Sequence, residues 1–144
     1  MKSELRVVVE RVADGEFRAL DGQGSELRID KPVASGGEAG AWQPTALLLA
    51  ALGGCLAMDM EYMLRKQGLD PGRYSVVLTG ERAAAPGKPF TVLHAAHSWT
   101  GEIAEDAMQA ALAQVDERYC TVGITLRHGV SLHHTLAAER APEA

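Results

Sequence analysis

Residues 44–67 read PTALLLAALGGCLAMDMEYMLRKQ, and the architecture turns on this stretch. It is rich in Ala, Leu and Met, with Pro44 in the first turn and Gly68 and Pro71 just beyond its end, which are the start and stop signals of one long helix. The first half is apolar all the way round. The second half sets Asp59, Glu61, Arg65 and Lys66 beside Met60, Met63 and Leu64. A helix that is apolar on every side has to be covered on every side. A second subunit is expected to supply part of that cover, with a larger sheet made by the chain itself as the competing account. The longest uninterrupted apolar run, 46–58, stops at Asp59, short of the ~20 residues that span a bilayer, so it reads as a core segment.

Upstream, residues 5–9, 17–20 and 26–29 read as three short strands separated by the turn signals Asp14-Gly15 and Asp21-Gly22-Gln23-Gly24. Residues 32–40 carry Gly36, Gly37 and Gly40 and read as a loop without regular structure. Downstream, 74–79 and 90–99 are predicted strands. Residues 103–119 return to helical spacing, with Met108, Ala111, Leu112 and Val115 on one stripe and Cys120 at its end. Residues 122–126 and 130–136 are predicted to close the fold as a hairpin about His128-Gly129, leaving 136–144 as a tail. The sum is a single α+β domain over 1–144.

Bulk properties narrow the function. A chain of 144 residues buries roughly 68–70% of the surface that it exposes unfolded, so it needs no covalent staples. There are 14 basic and 19 acidic residues, a net charge of −5, and no Lys/Arg-rich block. Neither nucleic acid nor an anionic membrane surface is an expected partner. The first ten residues lack the pattern of a signal peptide, and two cysteines make no disulfide framework. A cytoplasmic, reducing location is expected, which turns attention to the thiols.

Cys55 follows Gly53 and Gly54 in mid-helix, where the two glycines cost on the order of 2 kcal/mol relative to alanines. Either something packs very closely there or a substrate needs room beside the thiol. The plain alternative is that Cys55 is a small buried hydrophobe, the commonest state of a free cysteine. Cys120 lies 65 positions later in no CxxC motif, and burial is its default as well. His94 and His97, and His133 and His134, would point to opposite faces of strands, so no metal site is expected from them. Trp42 and Trp99 read as packing or pocket lining.

The segment 44–55, followed by Asp59 and Leu64-Arg65-Lys66, resembles the central helix of the OsmC/Ohr superfamily of osmotically inducible and organic-hydroperoxide-resistance proteins. Gly80-Glu81-Arg82, Pro89-Phe90 and residues 117–122, ERYCTV, resemble that family's downstream landmarks. The likeness covers roughly residues 30–130. It implies an entwined homodimer of α+β subunits, with mixed or antiparallel sheets, long central helices buried between them, and sites at the subunit interface. It also implies thiol peroxidase chemistry without a cofactor, in which Cys55 matches the peroxidatic cysteine and Cys120 the resolving one. The implied substrates are organic hydroperoxides, and an external dithiol closes the cycle.

Such chemistry needs a thiolate near neutral pH and hence a cationic neighbour. In the family an arginine from the N-terminal region serves, held by a glutamate near the start of the central helix. Here the glutamate position is Thr45, which cannot form that ion pair, and Arg11 or Arg18 matches the arginine. Trp42, Thr45 and Gly54 are the candidate substrate contacts. The leading expectation is therefore a dithiol-dependent hydroperoxide reductase. The alternatives are a protein of the same fold that binds a small apolar or electrophilic ligand with little turnover, and a fold in which both thiols are inert core.

Overall fold

A computed structural model describes residues 2–138. Its element order is β1 (Val8–Ala13), β2 (Glu16–Leu20), β3 (Glu26–Ile29), α1 (Pro44–Lys66), β4 (Tyr74–Arg82), β5 (Phe90–Trp99), α2 (Glu105–Gln114) and α3 (Thr121–His128). The predicted tail falls mostly on 139–144, outside the described residues. The two sheets are antiparallel: a β1-β2-β3 meander and a β4-β5 hairpin.

Helix α1 forms where the sequence puts it, with Pro44 at its first turn. It ends in a Schellman arrangement: Gly68, at φ 71, donates its N–H to Arg65 O, and Leu69 donates to Leu64 O. One stripe, Leu52, Leu56, Met60 and Leu64, is buried against Ile103, Met108, Ala111 and Val115 and against the inner face of the hairpin. Each such side chain contributes about 1.5–3 kcal/mol when fully buried. By length and hydropathy α1 would also pass for a membrane span, at 23 residues and a mean hydropathy of 1.5, but this packed stripe makes it the spine of the core. The opposite stripe is apolar and open, with Met58 73% and Tyr62 64% exposed.

The strands predicted over 74–79 and 90–99 are present, the first running on to Arg82, and side chains alternate between the two faces of the hairpin. Tyr74, Val76, Leu78 and Gly80 face inward, opposite Trp99, His97, Ala95 and Leu93. His94 and His97 lie on opposite faces, the former exposed and the latter half-buried. The meander is tied to the rest through a bridge between Ile29 and Trp42 and through the loop between them. Val9 and Val12 remain more than half exposed on it.

Three expectations are corrected. The first strand begins at Val8 rather than Leu5, because β2 ends at Leu20, whose partner is Val8, and nothing remains for Leu5 to pair with. The loop 32–40 contains a single 3-10 turn, Val33–Ser35, closed by Gly36 at φ 94. Gly37 is required there, since a Cβ would lie 1.8 Å from Lys31 O. Buried Asp30 pins the same loop by accepting from the N–H groups of Lys31 and Glu38 at 2.7 and 3.0 Å.

The third correction is the largest. Residues 121–128 form helix α3 instead of a strand, and 130–136, including His133 and His134, lie in no regular element. The β-branched Thr121, Val122, Ile124 and Thr125 favour a strand locally. Packing on α1 overrides them: Gly123 is buried, and a Cβ on it would touch Leu52 Cδ1 at 3.5 Å.

Candidate functional site

Cys55 stands in the middle of α1, half-buried, and Cys120 stands at the start of α3 with no exposed surface. What brings them together is the way α2 ends. The helix predicted over 103–119 continues past Gln114 as a wide π turn, Val115–Tyr119, in which Cys120 N–H bonds Val115 O at 2.8 Å. Such wide turns redirect a chain by a fraction of a turn and occur at functional sites. Cys120 then takes the N-cap position of α3, its sulfur accepting the Gly123 N–H at 3.3 Å.

The two sulfurs and a carboxylate oxygen of Asp59 lie within 4.8 Å of one another. Cys55 Sγ is 3.9 Å from Asp59 Oδ2, one helical turn along α1. Burial pushes the Cys120 thiol up to about 11; the Gly123 N–H acts against this, while Cys55 and Asp59 add to it. Both cysteines singled out in the sequence are therefore in one cluster, although 65 positions separate them.

The two glycines before Cys55 have different causes. A Cβ on Gly53 would lie 2.5 Å from Leu78 Cδ2, so the helix approaches β4 closely at that point. A Cβ on Gly54 would meet nothing within 4 Å. The other predicted contacts sit farther along the chain: Thr45 is half-buried in the first turn of α1, and Trp42, 46% exposed, uses its backbone to meet Arg28 and Asp30.

The candidate arginines belong to the meander. Arg18 donates to Glu10 at 2.8 Å, and Arg11 pairs with Asp14. Among the described residues neither bonds to a sulfur within the chain. Asp59 is the charged neighbour of the thiols instead.

A cavity of 720 Å³ lies between α1, β5 and α3. Leu52, Leu56, Phe90, Leu93 and Leu126 give it apolar walls, and Asp116 and Arg127, paired at 2.6 Å, give it a charged side. Neither sulfur is in its walls, but Gly123 borders both the cavity and Cys120. Sequence reasoning missed Leu126 and Arg127 because it placed that segment in a strand. Basic residues in the last turn of a helix, Arg127 and His128, were the available signal.

Residues 36–135 match the family described as OsmC-like protein. The chain belongs to that family. Protein YhfA of Escherichia coli strain K12 is 32% identical over 93 residues, which is 64% of this chain and 69% of YhfA. An OsmC like protein from Mycoplasma pneumoniae has a similar structure, with a TM-score of 0.76 at 18% identity, covering 88% of this chain and 89% of that one. So has an organic hydroperoxide resistance protein OsmC from Legionella pneumophila, with a TM-score of 0.60 at 22% identity, covering 87% and 90%. At those identities the likeness carries the fold, and the OsmC-like α+β architecture expected from the sequence is the one observed.

Proposed function

We propose that this OsmC-like protein is a dithiol-dependent peroxidase acting on organic hydroperoxides. The observation that carries the reading is the approach of Cys55 and Cys120 to within 4.8 Å. The Cys55 thiolate attacks the O–O bond; its sulfur takes one oxygen and the other leaves as an alcohol once protonated. Cys120 then displaces water from the sulfenic acid to form a disulfide, and an external dithiol reduces that bridge by two exchange steps. These steps suit a reducing, cytoplasmic setting. The open stripe of α1 and the exposed meander favour a homodimer in which a second copy covers Met58 and Tyr62 and brings a cation, Arg18 or Arg11, to Cys55.

The test is to mix reduced protein with one equivalent of tert-butyl hydroperoxide and count free thiols. Loss of two thiols per chain, abolished by Cys55→Ser, is expected. Thiols that persist at neutral pH would discard the reading. A second reading, an OsmC-like binding protein with little turnover, is favoured by the apolar cavity whose walls exclude both sulfurs. It predicts an apolar molecule that copurifies with the protein and survives Cys55→Ser.

A further inference from the structure

We infer that the reduced protein holds a thiophilic divalent cation, zinc or cadmium in class, between Cys55, Cys120 and Asp59. The donor atoms already lie within 4.8 Å of one another. Zinc bonds thiolate sulfur at ~2.3 Å and carboxylate oxygen at ~2.0–2.2 Å, so a tetrahedral ion needs its donors roughly 3.5–3.8 Å apart. Cys55 Sγ and Asp59 Oδ2, at 3.9 Å, are nearly there.

Three features support a cation here. Two sulfurs and a carboxylate form a donor set of the kind that d¹⁰ ions take. The Asp59 carboxylate stands one helical turn from Cys55, so a negative charge lies beside the two thiols. Three protein donors around a tetrahedral ion leave a fourth position for water or a small molecule, as in open zinc sites. Each protonated thiol releases its proton to solvent as its sulfur–metal bond forms, and no electron moves. Oxidation of the pair to a disulfide removes both sulfur donors, so the ion is bound by the reduced form alone. This inference does not depend on hydroperoxide being the substrate.

The test uses the reduced, metal-free full chain titrated with Cd²⁺ alone, read by the thiolate-to-cadmium charge-transfer absorption, and with Zn²⁺ alone by calorimetry. One ion per chain is expected. Diamide-oxidised protein should bind none. Asp59→Asn should weaken binding at least as much as the roughly 10–100-fold that loss of an outer partner costs, with an unchanged melting temperature showing that it folds. Cys55→Ser should abolish the absorption band. Absence of a band in the reduced wild type, binding retained in Cys55→Ser, or unaltered affinity in Asp59→Asn would each overturn the site. Because no peroxide is present, failure here leaves the thiol-counting result untouched.

Discussion

The Tyr74 hydroxyl lies 2.6 Å from Nδ1 of His97, diagonally across the β4-β5 ladder. Burial holds the imidazole below its ordinary pKa and pushes the phenol up to about 12. A neutral His97 accepting at Nδ1 from the Tyr74 O–H satisfies both groups. The depressed imidazole means that the unfolded chain binds more protons once pH drops below about 6.5. Stability is therefore full above that pH and declines as pH falls toward the folded value. Urea unfolding on either side of about pH 6.5 should show this slope. Tyr74→Phe, which leaves Nδ1 without its donor, should cost about 1–3 kcal/mol.

The glycine pair in α1 should split on substitution. Gly53→Ala drives a methyl group into Leu78 and is expected to lose about 1 kcal/mol net, overpacking outweighing the gain in helix propensity. Gly54→Ala meets nothing within the chain and should gain up to about 1 kcal/mol. Thermal melts of the two variants side by side would decide it.

The thiols should differ in reactivity. Cys120 is fully buried and its pKa is raised to about 11, whereas Cys55 is half-exposed. Brief iodoacetamide treatment at neutral pH should label Cys55 far faster, as peptide mass analysis would show. The raised thiol also has a stability consequence: full below its ordinary value of 9.0, it is lost as pH rises toward about 11.

If a second copy covers the open stripe of α1, a charge placed there should separate the copies. Met58→Glu with Tyr62→Glu is expected to yield monomers in sedimentation experiments while far-ultraviolet circular dichroism keeps its helical signature. A wild type that is monomeric at the same concentration would remove the basis for a shared site.

How much was legible in the sequence follows from which forces were local. Pro44, Gly68 and the apolar run marked α1, and alternation over residues 90–97 marked β5, because capping and pleat periodicity act over a few residues. Residues 121–128 were misread because their β-branched side chains speak for a strand, while the deciding contact, Gly123 on Leu52, comes from 71 positions away. Cys55 stood out through the glycines before it, but its pairing with Cys120 came only through family likeness, and their approach depends on the π turn at Val115–Tyr119, which no periodicity announces. Asp59 was visible as a neighbour of Cys55 along the helix; its closeness to Cys120 was not.

The sulfur of Cys120 also accepts the N–H of Gly123 in the first turn of α3. Chemistry at that sulfur therefore takes place at the anchor of the segment whose far end carries Leu126 and Arg127. One short helix thus joins a thiol at its start to a wall of the cavity at its end.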